Sequence, residues 1–258
     1  MKKIASLLMT AVLFMGASAA AYDFQALAEK NLPDRFTYKD IPGTQTIPFA
    51  GGEVPYQLGQ LAVNLNSAKK FSSGYIIRTR LPQKSAKMMM PFFAMNLGEE
   101  QWKVLTEVNR AFLDPESTLR KDMEKTMMGL AINAMGPLAE KNVTVEISGE
   151  EPLRRLAGNE SYVLTAGARV IYNEEGLILP MYTRAYLFPS EDRKYLDVLM
   201  LFTPDEGKGP LIYAIDDLAK IAAKEELLGK RQYMDLGEIL GDSQKRRAER
   251  EKQASESK

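Results

Sequence analysis

Tyrosine and arginine alternate along a predicted strand in the second half of the 258-residue chain. Tyr182, Arg184 and Tyr186 are spaced by two residues, so they share one face of an extended strand, and Arg169 lies on the strand before it. Such a face can bind an anionic or sugar ligand through hydrogen bonds and stacking, and we take these four residues as the candidate binding surface. The alternative is a solvated or helix-covered face whose arginine pairs with an acidic residue.

A second candidate is a stretch rich in methionine and phenylalanine. Met88, Met89 and Met90 are followed closely by Phe92 and Phe93. Three interpretations stay open: core packing, an adaptable apolar surface for a ligand or membrane, and a thioether site for Cu(I). Copper sites usually add histidine or cysteine, and the chain has neither. We therefore predict an apolar contact, with no bound metal and no cofactor.

The absence of histidine and cysteine also limits catalysis. Ser-His-Asp and Cys-His machinery and zinc sites built from His and Cys are excluded. Carboxylates remain, but adjacent pairs such as Asp216-Asp217 point in different directions on a regular element. We therefore predict no catalytic residue and no enzyme. A carboxylate-dependent hydrolase acting on cell-wall or sugar substrates is the alternative.

The candidate binding surface is positioned by a run of predicted strands joined by short turns. Such turns favour antiparallel neighbours, so we expect a meander. Its strands cover approximately residues 143–147, 161–172, 177–188 and 195–202.

Helices are predicted on both sides of this meander, over residues 23–30, 99–113 and 215–228. A further helix begins at Asp114-Pro115, where Asp is a good N-cap and Pro a good first residue. Residues 31–56 contain four prolines and predict only short edge strands and turns, whereas residues 57–66 and 73–81 alternate and predict two strands. The predicted fold is α+β, a single domain with an antiparallel meander sheet and packed helices.

The N-terminus has the order of a secretory signal peptide. Lys2 and Lys3 precede an uncharged apolar stretch, and small residues up to Ala21 follow it. We predict a signal peptide over residues 1–21, cleaved before Ala20 or Tyr22, and a periplasmic or extracellular protein. Without cysteine it is not a lipoprotein, and no other stretch is apolar enough to span a membrane.

The remaining chain divides by composition. Residues 22–241 are predicted to form the single domain. Residues 242–258 contain no Leu, Ile, Val or aromatic residue and predict a charged, disordered tail. Loss of Lys2 and Lys3 with the signal gives a net charge of −2, too small for a global attraction to nucleic acid.

The order of elements resembles the PsbP-like family of α/β/α sandwiches, including exported bacterial relatives of the DcrB type. The segments that carry this resemblance are Ser73-Gly74-Tyr75-Ile76-Ile77, Gly158-Asn159-Glu160-Ser161-Tyr162 and Lys194-Tyr195-Leu196. The resemblance implies a sandwich fold and a non-catalytic binding or assembly role. Together these observations predict an exported module that binds a protein or small ligand of the bacterial cell envelope.

Overall fold

A seven-stranded antiparallel sheet forms the centre of the protein. The computed structural model describes residues 23–49, 52–65, 70–81, 89–93, 97–135, 143–156, 163–174, 176–190 and 194–228. The strands are β1 (Phe36–Phe49), β2 (Gly52–Leu65), β3 (Lys70–Leu81), β4 (Val143–Arg155), β5 (Leu164–Glu174), β6 (Leu177–Pro189) and β7 (Leu196–Pro204). The helices are α1 (Phe24–Asn31), α2 (Glu99–Leu113), α3 (Thr118–Met135) and α4 (Lys208–Leu228), with a 3₁₀ turn at Met90–Phe93.

Two meanders make up the sheet, in the order β1-β2-β3-β7-β6-β5-β4. Each meander is built from strands that follow one another in the chain, and the two meet where β3 pairs with β7. This arrangement confirms the predicted α+β fold with an antiparallel meander. It extends the prediction, because the N-terminal strands belong to the same sheet.

The β3–β7 seam carries a buried ion pair. Arg80 and Asp197 are cross-strand partners. The guanidinium donates from Nε and Nη2 to the two carboxylate oxygens, at 2.7 and 2.5 Å. Both side chains are almost fully shielded from solvent. A two-point pair in this position fixes the orientation of both groups as well as neutralising them.

Helices cover both faces of the sheet. The face covered by α1 and α4, here the α4 face, holds the largest core cluster, in which Phe24, Leu61 and Ile76 meet the inner side of α4 at Leu211 and Ile215. The opposite face, here the α2 face, packs against α2, α3 and the 3₁₀ turn. Helix α3 crosses this second face and contacts both edge strands, β1 and β4. The result is a three-layer arrangement in which the sheet is shielded on both sides.

The prediction for residues 31–56 was wrong. They form one full strand and the start of another, each 14 residues long. Two of the prolines lie where no ladder N–H is needed. Pro42 falls in the register shift between Ile41 and Thr44 on edge strand β1, where Gly43 has a φ of +103°. Pro55 lies on β2 before its pairing with β3 begins at Gln57.

Two helix starts also differ from prediction. Ser117 caps α3, since its Oγ accepts from the N–H of Arg120 at 3.1 Å. Asp114 instead ends α2, and its carboxylate accepts from the N–H of Glu116 at 3.0 Å. Helix α4 begins at Lys208, earlier than predicted, because Pro210 falls in the first turn, where proline costs no hydrogen bond.

The boundaries of the predicted domain are only partly visible. The described residues through Leu227 belong to one compact unit, and Leu228–Lys258 are assigned to a separate unit. The predicted signal peptide and charged tail lie outside the described residues. None of the helices in the described ranges is long and apolar enough to span a membrane.

Candidate functional site

The predicted binding surface lies beneath helix α4. Tyr182, Arg184 and Tyr186 lie on the α4 face of β6, each 7% exposed or less. Arg169 on β5 is the cross-strand partner of Tyr182, so the four predicted residues do share a face. The arrangement matches the alternative stated above, a helix-covered face with arginine paired to acidic residues. Whether these residues bind a ligand stays a prediction.

Arg184 is the centre of this group, here the polar cluster. Its Nη1 lies 3.5 Å from a carboxylate oxygen of Glu151 on β4. Its Nε lies 3.6 Å from a carboxylate oxygen of Asp216 on α4 and donates to Thr165 Oγ1 on β5 at 3.1 Å. One guanidinium thereby ties three strands to the helix above them.

The two tyrosines of the polar cluster donate to the same two carboxylates. Tyr182 donates to Glu151 Oε1, and Tyr186 donates to Asp216 Oδ1, both at 2.6 Å. Burial is the largest cause that raises the pKa of each phenol well above its ordinary value, and the neighbouring carboxylate adds to the effect. Both hydroxyls therefore stay protonated at physiological pH and donate to these carboxylates.

Arg169 lies at the solvated edge of the polar cluster, beside the junction of β7 and α4. Its Nη2 lies 2.7 Å from Asp205, which also accepts from Lys208 Nζ at 2.5 Å. The hydrogen bond from Lys208 is the largest influence that lowers the pKa of Asp205 below its ordinary value, and the contact with Arg169 acts in the same direction. The ammonium of Lys208 lies 4.3 Å from the centroid of the Tyr182 ring, a cation–π contact.

An open groove lies on the α2 face, at the start of β5. Its volume is about 390 Å³. Apolar side chains form the interior, with polar and aromatic groups around them: Phe92, Leu97, Trp102, Leu105, Thr106, Asn109, Leu153, Arg154, Arg155 and Leu164. We call this feature the groove.

The wall of the groove is fixed by a side-chain clamp between α2 and the edge strand β4. Asn109 Nδ2 donates to the carbonyl of Leu153 at 3.1 Å, and Asn109 Oδ1 accepts from the N–H of Leu153 at 2.7 Å. Because an edge strand has free backbone groups on one side, one amide side chain can satisfy both groups of a residue. The clamp sets the spacing between helix and strand that the groove occupies.

The predicted apolar contact segment reaches the groove through one residue. Phe92 and Phe93 are buried in the core cluster beneath α2, and Met89 and Met90 pack against that cluster. Phe92 also lines the groove, and its carbonyl accepts from Arg155 at 3.2 Å. Met88 lies outside the described residues. The segment supplies core packing and, through Phe92, part of the groove lining.

The groove itself is not apparent from the sequence. A single tryptophan on a predicted helix favours core or edge packing, but the side chain of Trp102 is 57% exposed. Arg154, on the facing strand, is exposed, and its contact with Glu151 is long, at 3.6 Å. These two residues are 52 positions apart in the chain, and only the packing of α2 against β4 brings them to one groove. The sequence does contain one signal for an exposed tryptophan: Trp102 lies outside the apolar stripe of its amphipathic helix.

A second, larger groove of about 480 Å³ lies between the end of α1 and the first turns of α4. Tyr213 is exposed beside it, and Arg35 and Asp217 border it.

In the described part of the chain, no group of three or more acidic residues is arranged to hold a metal ion.

Comparisons with known proteins give little similarity. No protein-family model matches the chain, and no curated protein matches it, so the PsbP-like resemblance is not confirmed. Among solved structures, the chain is similar to LpqN, which is involved in cell envelope biogenesis of Mycobacterium tuberculosis. The identity is 11%, the match covers 78% of this chain and 95% of LpqN, and the TM-score is 0.29. A likeness of that size supports no conclusion about fold or function.

Proposed function

We propose that this protein is an exported, non-enzymatic module whose groove binds a small amphipathic anion. The observation that carries the proposal is the pairing of exposed Trp102 with exposed Arg154 across an apolar interior. Export rests on the predicted signal peptide, which also implies a periplasmic or extracellular location.

The size and lining of the groove support a small ligand. A volume of about 390 Å³ lies within the usual range for small-molecule sites, which are mostly apolar with few polar groups. Phe92, Leu105 and Leu164 offer an apolar interior for an acyl or aromatic body. An exposed tryptophan ring gains from being covered, since aromatic side chains dominate the energy of apolar contacts.

The charge at the groove favours an anionic group on that ligand. Arg154 and Arg155 both belong to edge strand β4, and both line the groove. Arg155 already donates to the carbonyl of Phe92, whereas the contact that Arg154 makes with the described part of the chain is the long one to Glu151. Arg154 is therefore the residue that we assign to a carboxylate or sulfonate, which a guanidinium can bind through two hydrogen bonds.

A carboxylate-dependent hydrolase is the alternative, and one observation favours it. Glu151 and Asp216 converge on the same guanidinium in the polar cluster. Paired-carboxylate hydrolysis requires two carboxyls in different environments, one acidic and one basic. Here each accepts a tyrosine hydroxyl and each faces Arg184, so their environments are alike. Hydrolysis of peptidoglycan or chitin fragments that is lost in both Glu151→Gln and Asp216→Asn would favour this alternative.

The groove can be tested through its own tryptophan, because Trp102 is the single tryptophan of the chain. Anilinonaphthalene sulfonate, a rigid aromatic anion, serves as the probe with the full chain. We expect a blue shift of Trp102 emission and energy transfer to the bound probe, with saturation at one site. Laurate, which has an acyl body and a carboxylate, should compete for that site.

A matched pair of variants separates the groove from the rest of the surface. Thr106 is an exposed position lining the groove, and Thr118 is an exposed position at the start of α3. Thr106→Phe should fill the groove and weaken probe binding about tenfold or more, one to two kcal/mol, whereas Thr118→Phe should not change it. Equal probe affinity in both variants, without energy transfer from Trp102, would contradict the proposal.

A further inference from the structure

The hairpin that joins β5 and β6 ends in three consecutive exposed aliphatic residues. Leu177, Ile178 and Leu179 are all more than a third exposed, and Ile178 reaches 61%. Side chains alternate along a strand, so Ile178 points to the α4 face and the two leucines point to the α2 face. The end of this hairpin, Leu177–Pro180, is therefore apolar on both sides. We call it the apolar hairpin end.

The same segment has one open backbone edge. Residues 177–180 pair with β5, but β6 pairs with β7 only from Met181 onward, because β7 ends at Pro204. The carbonyl of Pro180 accepts from the N–H of Asp205 at 2.9 Å, so it points to the β7 side. In a strand, alternate residues direct their N–H and C=O to the same side, so those of Ile178 also face that side.

No strand continues beside Ile178 in the part of the chain that the structure describes. After Pro204 the chain turns at Gly207, which has a φ of +79°, and enters α4 at Lys208. The open donor and acceptor of Ile178 are thereby combined with an exposed apolar side chain and two flanking leucines. Open edges of this kind accept an added strand from another chain.

From this geometry we infer that the apolar hairpin end binds an extended apolar segment of another protein, which adds as a strand beside Ile178. A strand can satisfy the Ile178 backbone and cover the aliphatic side chains at once. A lipid surface cannot supply the backbone partners.

This site is separate from the groove. Leu164, which lines the groove, begins β5, and Glu174 ends it. At about 3.3 Å per residue the two ends of β5 are roughly 33 Å apart. Occupation of one site does not require occupation of the other, so the two proposals are tested independently.

A library of random twelve-residue peptides displayed on phage provides the probe. It is selected on the full chain and counter-selected on Ile178→Pro, which removes the outward N–H. We expect enrichment of alternating apolar sequences that bind the parent chain and Ile178→Val equally. Their affinity for Ile178→Pro should be about tenfold lower, the value of one lost hydrogen bond with its desolvated partner.

Amide hydrogen exchange gives a second readout that does not depend on a variant folding. In the free protein the Ile178 amide should exchange fast, and a bound peptide should slow it about tenfold or more. The Leu179 amide faces β5 and should be protected in both states, which makes it the internal control. Ile178→Asp, which keeps the N–H but loses the apolar side chain, should also weaken binding.

Several results would overturn the inference. They are the absence of any enriched peptide, enriched peptides that bind Ile178→Pro as well as the parent chain, and bound peptides that leave the Ile178 amide unprotected. Flotation of the full chain with phosphatidylcholine vesicles, lost in Leu177→Ser, would assign the hairpin end to lipid instead.

Discussion

The polar cluster and the groove lie on opposite faces of the same two strands. Glu151 of β4 belongs to the polar cluster, whereas Leu153 and Arg155 line the groove, because the register of β4 shifts between Glu151 and Arg154. In the polar cluster, helix α4 covers the sheet, and Tyr182, Arg184 and Tyr186 contact partners within the protein. In the groove, α2 stands off from β4 and leaves exposed Trp102 and Arg154.

The difference shows that residue type does not separate a proposed binding surface from a structural contact. Both regions contain aromatic and arginine side chains. The two regions differ in whether a helix supplies a carboxylate that pairs with the arginine. Asp216 of α4 occupies the position beside Arg184 that an anionic ligand would need. The following predictions use this contrast.

The largest effect is expected from Arg184→Met. The substitution leaves Glu151 and Asp216 without their shared cation, and loss of one partner of a buried ion pair costs about 3 kcal/mol of unfolding free energy. Urea denaturation measures the loss. Arg154→Met, which removes an exposed and long contact with the same Glu151, should cost less than about 0.5 kcal/mol. If Arg184→Met folds but no longer binds the probe, the probe site lies at the polar cluster rather than in the groove, and the contrast between the two regions is wrong.

Gly167→Ala should destabilise the polar cluster by overpacking. A Cβ at Gly167 would lie 2.7 Å from the Tyr182 hydroxyl and 3.2 Å from the Thr183 carbonyl oxygen. The free energy of unfolding, measured by urea denaturation, should fall by about 2 kcal/mol, with little change in probe affinity. Addition of Tyr182→Phe should restore part of the stability by removing the hydroxyl. Gly209→Ala, where a Cβ meets open space, is the control. Equal losses in both variants would show that the crowding at Gly167 is not the cause.

Arg154→Ala should weaken binding of the anionic probe without a change in stability. Removal of an exposed cation is expected to lower affinity by about threefold to tenfold, in a salt-dependent manner. Arg110→Ala, an exposed arginine of α2 that does not line the groove, should leave affinity unchanged. Titration of Trp102 emission at low and high salt checks this. Identical results for the two variants would remove Arg154 from the proposed site.

The smallest effect concerns acid stability at the edge of the polar cluster. The native pKa of Asp205 lies below its ordinary value of 3.8, chiefly because Lys208 donates to it, so the group favours folding above that value. This contribution is lost as the pH falls through the lowered native pKa. Asp205→Asn should lower the free energy of unfolding by about 0.5 kcal/mol at neutral pH, because the contacts with Arg169 and Lys208 are partly solvated. In acid the substitution should not change the free energy of unfolding. Urea denaturation at both pH values measures it, and a difference that persists in acid would contradict the assignment.

The C-terminal meander was predictable because local signals agree there. Alternating apolar residues and turns of a few residues determine β4 to β7, and the alternation of Tyr182, Arg184 and Tyr186 correctly places them on one face. Strand β3 and most of β2 were also predicted from alternation, whereas β1 and the start of β2 were not, because their prolines argue against a strand. Pro42 and Pro55 are tolerated only because of which neighbours the sheet gives them.

The two candidate surfaces required tertiary information. Burial of Arg184 depends on α4 lying over it, and the exposure of Trp102 depends on how far α2 stands from β4. A run such as Leu177-Ile178-Leu179 is typical of a buried strand. The predicted end of β7 near residue 202 is correct, but the register that leaves Ile178 beyond that end cannot be read from the sequence. Periodicity predicts which residues share a face, but not what covers that face.

The Arg80–Asp197 pair has a consequence for how the chain reaches its native state. Each meander contains contacts between residues that are near in sequence, whereas the seam joins residues 117 positions apart. Loop closure makes such contacts slow to form, so the two halves can be ordered before they meet. A one-residue slip at the seam would turn Asp197 to the other face of β7 and bury an unpaired charge on each side. The ion pair therefore favours one alignment of the two halves during folding, because neighbouring alignments would leave Arg80 and Asp197 buried and unpaired.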